Sequence, residues 1–331
     1  MTDETWVLVS NRAPHYDFLA HRGVVEAAGG SLVPVDLADP TARRAALARA
    51  TVGVVVNDRF GHEDFAQAPK LRALVSASVG FDQIDLAAAT RHGVMVANTP
   101  DLCTEEVADH TLMLLLACYR RLPQAIAQQR RGRISWSDIA LHSGPWPSLR
   151  GSIAGLIGFG HIARLVAARF LAVGLQVIAC DPFVTSDVAR NLGVELTRFE
   201  DLLARADYVS VHTPLTPTTR HLLNAAAFAR MKPTAKVINT ARGAVIDEAA
   251  IIEALRQGRI AGAGLDVLEH EPLATDNPLL AMDNVILTPH TAGWSDHARA
   301  WGAESAMRDA ALVLQGGRPR GLQNRDVRAK G

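Results

Sequence analysis

Short apolar runs rich in Val and Ile alternate along the chain with longer amphipathic stretches, a rhythm that predicts βαβ units and parallel sheets rather than a sandwich or a helical bundle. In the first third, strands are expected at 6–10, 32–36, 53–56, 74–77 and 94–97, with helices near 18–28 and 42–50, which makes one small doubly wound unit. A long helix is expected over 105–130, capped by Thr104, with Glu105 and Glu106 at the positive end of its dipole and a kink at Pro123. Its apolar residues Val107, Leu112, Leu114, Leu115 and Leu116 spread too widely for one face, so burial on several sides is expected. Residues 132–149 lose periodicity and carry Trp136, Pro145, Trp146 and Pro147, as a connecting or covering loop does. A second strand series begins at Ile153 and continues at 175–180, 208–212, 237–240, 262–267 and 285–288, and a last helix over 295–314 leads to a polar tail.

A length of 331 residues is enough for about two domains. The 34 basic and 34 acidic residues cancel, which leaves no net electrostatic footprint for nucleic acid or an anionic membrane. Cys103, Cys118 and Cys180 stand far apart with no CxxC, so a zinc ribbon lacks its ligands and a reducing compartment is expected. The first ten residues carry Asp3 and Glu4 with no basic segment, unlike a signal peptide, and the most apolar stretch, 111–118, is far shorter than the ~20 residues a membrane span needs. A cytoplasmic protein with neither membrane nor nucleic acid as partner is the expectation.

Four segments carry candidate chemistry at the carboxyl ends of expected strands, where open α/β sheets place their ligands. The first, Ile153-Ala-Gly-Leu-Ile-Gly158-Phe-Gly160-His161-Ile162-Ala163, is a strand, a glycine turn and a helix start. Gly158 permits the tight turn, Gly160 lets a pyrophosphate approach the backbone, and Ala163 is small enough for helix-to-strand packing. Asp181 ends the next strand, where an acid takes ribose hydroxyls and repels a 2′-phosphate. A glycine turn alone is a weak signal; with Asp181 it points to a dinucleotide, and to NAD over NADP. Arg242 follows the strand at 237–240 and suits a carboxylate held bidentately or, alternatively, a surface salt bridge. Asp266, Glu269, His270 and Glu271 follow another strand, and taken singly each reads as a solvated loop residue. Thr288-Pro289-His290 places an imidazole after a proline, as a proton donor near neutral pH or as a structural histidine.

Taken in order, these segments resemble the D-isomer-specific 2-hydroxyacid dehydrogenase family, and most closely its branch containing the C-terminal binding proteins. The matching stretches are 78–85, 98–109, the glycine turn, 212–219, 239–243, 266–272 and 288–290, and the likeness runs from about residue 50 to 315. The resemblance implies an NAD-dependent enzyme that interconverts a 2-keto acid and its D-2-hydroxy acid. It implies a catalytic set of Arg242 as carboxylate anchor, His290 as acid and base, and Glu271, not Glu269, holding the imidazole. Substrate contacts are implied at the amides of Val79 and Gly80. NAD contacts are implied at Thr104, Gly158, Gly160, His161, Ile162, Asp181, Thr213, Pro214, Thr218, Thr240, Ala241 and Asp266. It also implies two doubly wound parallel-sheet domains: a Rossmann NAD-binding domain, 102–291, inserted in a flavodoxin-like substrate domain, 1–101 with 292–331. Cleft closure between them and a homodimer formed through the NAD-binding domain belong to the same implication.

The chain departs from the family at two places. His161 stands where many relatives have Arg, and Gly293 followed by Trp294 stands where the nearest branch has Trp three residues after the histidine. Arg59, at the end of the third strand, would read a second anionic group on the substrate or be a plain surface arginine. Asp85 reads as a helix cap, and His110, His221 and His297 as hydrogen-bonded or surface residues, since no HExxH-type spacing relates them. Two alternative functions share the scaffold: an NAD-sensing corepressor-like binding protein, and oxidation of a donor such as phosphite. Glutamate at position 271, where a formate dehydrogenase would carry glutamine, argues against formate.

Overall fold

The structure is a computed structural model that describes residues 5–132 and 147–330; the expected loop carrying Trp136, Pro145 and Trp146 lies outside the described residues. The chain divides into two compact units, residues 1–103 with 294–331 and residues 104–293.

In the first unit, five parallel strands stand in the order β2-β1-β3-β4-β5: β1 (Thr5–Ser10), β2 (Gly30–Val35), β3 (Ala50–Val55), β4 (Ala73–Ser76) and β5 (Met95–Ala97). Runs such as Val52, Val54 and Val55 are fully buried, as expected of strands covered on both faces. One face packs under α1 (Arg22–Ala27) and the C-terminal helix α12 (Asp296–Leu314), whose Ala303, Ala306 and Ala310 let it sit close to the sheet. The other face packs under α2 (Pro40–Leu47), α3 (His62–Ala66) and α4 (Leu86–Arg91) around Phe60, Phe65 and Leu74. Asp85 caps α4 by accepting from the Ala88 amide at 2.8 Å, and Ser295 caps α12 by accepting from Ala298 at 2.9 Å.

The polar tail expected after α12 is instead part of this fold. Asn324 Oδ1 accepts from the Val96 amide at 2.8 Å, its Nδ2 donates to Val94 O at 2.9 Å, and the Gln323 amide donates to Val96 O at 2.8 Å. Val327 is buried. Edge strand β5 thereby finds the backbone partners that an exposed edge lacks.

In the second unit, seven parallel strands stand in the order β12-β11-β10-β9-β6-β7-β8. They are β6 (Ile153–Ile157), β7 (Gln176–Cys180), β8 (Glu195–Leu196), β9 (Tyr208–Val211), β10 (Lys236–Asn239), β11 (Gly262–Leu265) and β12 (Val285–Leu287). β8 spans two residues, too short to leave a signal in the sequence. One face is covered by α5 (Thr104–Tyr119), α7 (His161–Ala172) and α8 (Ser186–Arg190), the other by α9 (Phe199–Arg205), α10 (Ala225–Arg230) and α11 (Glu248–Arg256).

One expectation for the long helix is corrected. The chain breaks at Arg121, whose φ of 52° is left-handed, so α5 ends at Tyr119 and α6 (Leu122–Arg130) starts anew with Pro123 in its first turn. Burial in α5 extends around most of the helix, as expected: Val107, Ala108, Thr111, Leu114, Leu115, Ala117 and Cys118 are buried, Leu112 and Leu116 are partly buried, and Glu105, Asp109 and Met113 form one exposed line. The sheet and α7 cover its broad apolar side.

Candidate active site

Strands β6 and β9 are neighbours although β7 and β8 separate them in sequence, so the direction of strand progression reverses there. The crevice outside the carboxyl ends at such a reversal is the ligand position of open α/β sheets. Gly158 follows β6 with φ +91°, and an added Cβ would stand 2.5 Å from the His212 carbonyl oxygen, so two separate constraints demand glycine. At Gly160, which precedes α7, an added Cβ would meet nothing within 4 Å. The amides of His161 and Ile162 open the helix there, a cradle that fits a pyrophosphate. Ala163 is buried beneath them, as its small size requires.

Asp181 follows β7 and is fastened to this turn, with Oδ2 accepting from the Phe159 amide and Oδ1 from the Phe183 amide, both at 2.8 Å. Thr213, Pro214 and Thr218 follow β9; Thr219 Oγ1 donates to Pro214 O at 2.6 Å, and Thr218 shares a 3.0 Å hydrogen bond with Thr216. Burial pushes the preceding imidazole, His212, down to about 3, so it stays neutral. Thr104 is the first residue of α5. Thr240 turns its hydroxyl inward to Thr111 Oγ1 at 2.8 Å, which ties the loop after β10 to α5.

Arg242 follows β10 in a loop organised by a residue the sequence did not single out. Buried Asn239 accepts from the Ala241 amide at 3.0 Å and donates to Arg242 O at 2.9 Å. Arg242 Nη1 donates to Ala241 O at 2.6 Å. At Gly243 an added Cβ would stand 1.9 Å from the Leu268 carbonyl carbon, so glycine alone lets this loop touch the loop after β11. That second loop carries Glu271, whose Oε1 accepts from the Leu268 amide at 2.9 Å.

His290 Nδ1 donates to Glu271 Oε2 at 2.7 Å. Burial by itself would raise the Glu271 carboxyl, but the hydrogen bonds from His290 and Leu268, with Arg242 nearby, hold it below the usual carboxylate range. Arg242, Glu271 and His290 are thus gathered at neighbouring strand ends of one sheet, and Glu269 stands apart from them. Glu269 Oε1 accepts from His221 Nε2 at 2.6 Å, with Arg220 Nη1 at 3.6 Å.

His290 has a left-handed backbone, φ 55°, which a non-glycine residue keeps only when its surroundings impose it. The anchor is Asp266, whose side chain is 1% exposed. Its Oδ1 accepts from Thr288 Oγ1 (2.6 Å) and the Thr291 amide (2.9 Å), its Oδ2 from the Ala292 amide (2.9 Å), and its carbonyl from the His290 amide (2.8 Å). His110 Nε2 donates to Thr288 Oγ1 at 2.9 Å. The residue assigned by resemblance to the cofactor thus also fastens the His290 turn. Thr288 and His110 were legible in sequence only as a polar strand end and a lone helical histidine.

In the other unit, Val79 and Gly80 follow β4, where Ser78 Oγ donates to Gly80 O at 2.7 Å. Arg59 follows β3 and its Nε donates to Gln83 Oε1 at 3.4 Å. Among the described residues no cluster of three or more His, Cys, Asp or Glu could hold a metal, and no helix is long and apolar enough to cross a membrane.

Residues 112–292 match the family model for the NAD binding domain of D-isomer specific 2-hydroxyacid dehydrogenases. The chain is 38% identical over 275 residues to a glyoxylate reductase of Korarchaeum cryptofilum, covering 82% of each chain. It is 41% identical over 257 residues to a D-3-phosphoglycerate dehydrogenase of Mycobacterium leprae, covering 77% of this chain and 47% of that protein. Among solved structures, D-lactate dehydrogenase from Aquifex aeolicus, complexed with NAD and lactic acid, superposes with a TM-score of 0.83 at 29% identity, covering 94% of this chain and 96% of that one.

Proposed function

The chain belongs to the D-isomer specific 2-hydroxyacid dehydrogenase family and is an NAD-dependent enzyme of it; from that premise we propose that it interconverts a 2-keto acid and its D-2-hydroxy acid through Arg242, Glu271 and His290. The observation that carries the assignment is the 2.7 Å bond from His290 Nδ1 to Glu271, which leaves Nε2 as the atom that gives or takes the hydroxyl proton. Glu271 fixes the ring's orientation and meets the positive charge of an imidazolium. Arg242 anchors the substrate carboxylate and polarises the adjacent carbonyl oxygen.

NAD supplies, when bound, the hydride acceptor for the hydroxy acid or, reduced, the donor for the keto acid. The turn from Gly158 to Ile162 would hold its pyrophosphate and Asp181 its ribose hydroxyls, with Thr104, Thr213, Pro214, Thr218, Thr240, Ala241 and Asp266 as further contacts. The carboxylate of Asp181 disfavours a 2′-phosphate in the same place. On the substrate side, the amides of Val79 and Gly80 and the side chain of Arg59 are the proposed contacts, Arg59 reading a second anionic group. Arg59→Ala leaving the KM of every dianionic substrate unchanged would remove Arg59 from that set. The functional division follows the same reading, with the substrate domain in 1–101 and 292–331 and the NAD-binding domain in 102–291. A cytoplasmic homodimer belongs to it too: exposed Met113, Leu122 and Ile126 on α5 and α6 are candidate apolar contacts, and light scattering measures the assembly.

NADH oxidation followed at 340 nm tests the reading. The panel comprises glyoxylate, hydroxypyruvate, phenylpyruvate, a phosphorylated 2-keto acid and a phosphonate analogue, with NADPH and His290→Ala as controls. Turnover of at least one acid, lost in His290→Ala and weaker with NADPH, is expected. Tight NADH binding with no turnover across the panel would overturn it.

A further inference from the structure

Asp58 is a buried carboxylate of the first unit with one oxygen lacking a hydrogen bond. It is 1% exposed, its Oδ2 accepts from the Val56 amide at 3.2 Å, and its buried Oδ1 has no hydrogen-bond partner. Buried carboxylates are normally hydrogen-bonded or paired, because desolvating the charge is otherwise costly. The nearest cation is Arg12, with Nη1 3.7 Å from Oδ1, beyond hydrogen-bonding range, and a side chain 53% exposed. Among the described residues the Arg12 guanidinium donates no hydrogen bond, so its planar fork remains available.

The position of this pair gives it a use. Arg12 lies two residues beyond β1, and Asn57-Asp58-Arg59 lie just beyond β3; the two strands are hydrogen-bonded neighbours, about 4.8 Å apart. β4 lies on the other side of β3 and leads to Val79 and Gly80, so all these groups share one carboxyl edge. Asn57 adopts a left-handed φ of 55°, a conformation asparagine tolerates, and the loop buries Asp58 while leaving Arg59 outside. The loop is set before any ligand arrives: Arg43 stacks over Phe60 at 4.6 Å and donates to Arg59 O at 2.5 Å, and the Phe60 amide donates to Gln83 O at 3.0 Å.

We propose that Arg12, positioned by buried Asp58, forms with Arg59 a subsite for a second, distal anion on the substrate. Arg12 and Arg59 at this edge outnumber the one carboxylate of Asp58, a balance suited to a 2-keto or 2-hydroxy acid whose far end carries a carboxylate or a phosphate. Arg12 is then a specificity residue and Asp58 a positioning residue. The inference rests on the dehydrogenase reading and extends it by naming the substrate class.

The test compares kcat/KM for oxaloacetate and a phosphorylated 2-keto acid with that for glyoxylate, in wild type, Arg12→Gln and Asp58→Asn. The ratio of dianion to monoanion should fall about 10- to 100-fold in Arg12→Gln, the loss expected for one charge-assisted hydrogen bond, and Arg12→Lys should restore part of it. Which dianion shows the larger fall identifies the distal group as carboxylate or phosphate. Asp58→Asn should lower the same ratio through KM at unchanged kcat, and a thermal melt shows whether that variant folds. An unaltered ratio in Arg12→Gln would overturn the subsite while leaving the dehydrogenase reading intact. If the wild type reduces none of these acids, the dehydrogenase reading is decided by the wider panel above, and the subsite is judged by thermal stabilisation. Succinate should then stabilise the protein more than butyrate does, and Arg12→Gln should abolish the difference; equal effects of the two acids on the wild type would overturn it.

Discussion

His290 and Glu271 are half-exposed side chains whose partnership is worth little to stability and, in the proposed reaction, much to chemistry. Replacing His290 with alanine should lower kcat about 10²- to 10⁴-fold, the usual contribution of one general acid or base, with the thermal midpoint almost unmoved. Glu271→Gln keeps the shape and removes the charge that holds the ring, so steady-state kinetics should show a kcat loss of about 10²-fold or more with the substrate KM little changed. The pH dependence has a definite sign. The Glu271 carboxyl is held below its ordinary value of 4.5, so what its ionised form contributes is present above that value and is lost as pH falls through the lowered one. Wild type should therefore exceed Glu271→Gln in stability by a margin that shrinks on acidification below about 4.5, measured by urea midpoints across pH.

Neighbouring strand ends become a site only because their loops touch, and glycines control that contact. Gly243→Ala would force a Cβ into the Leu268 carbonyl and so separate the Arg242 loop from the Glu271 loop. Its expected signature is a loss of kcat/KM together with a fall in melting temperature, since the clash is with backbone atoms that cannot swing aside. Gly158→Ala combines a left-handed backbone with a clash against His212 O, and should cost more than about 1 kcal/mol by urea unfolding while weakening NADH binding measured by fluorescence.

At the scale of the whole chain, the C-terminal residues and the nucleotide act on different units. Asn324→Ala would leave the Val96 amide of edge strand β5 and the Val94 carbonyl just before it without their side-chain partner. A loss of about 2–6 kcal/mol is expected, from two buried groups at about 1–3 kcal/mol each, and chemical denaturation should show it. NADH at 100 times its Kd should stabilise the second unit by about 2.7 kcal/mol, seen as a higher melting temperature, and NADPH at the same concentration should do less. Equal protection by the two nucleotides would remove Asp181 from its discriminating role.

The strand rhythm was legible because parallel strands buried on both faces must be continuous apolar runs, and β1, β6 and β10 were each expected within a residue or two of their bounds. The fingerprint glycines and Asp181 were legible because local backbone geometry dictates them. The resemblance supplied Arg242, Glu271 and His290 as a set, but spacing could not tell Glu271 from Glu269, since both lie in one loop. The pairing of Glu271 with His290, and of Glu269 with His221, depends on which strand ends are neighbours. The same holds for the break at Arg121, the tail that completes β5, and Asp58 buried beside Arg12. The sequence by itself determined what chain periodicity and local backbone rules encode: fold class, glycine turn and candidate residues. Tertiary structure alone decided pairing and burial, because both depend on parallel strands bringing together groups tens to hundreds of residues apart.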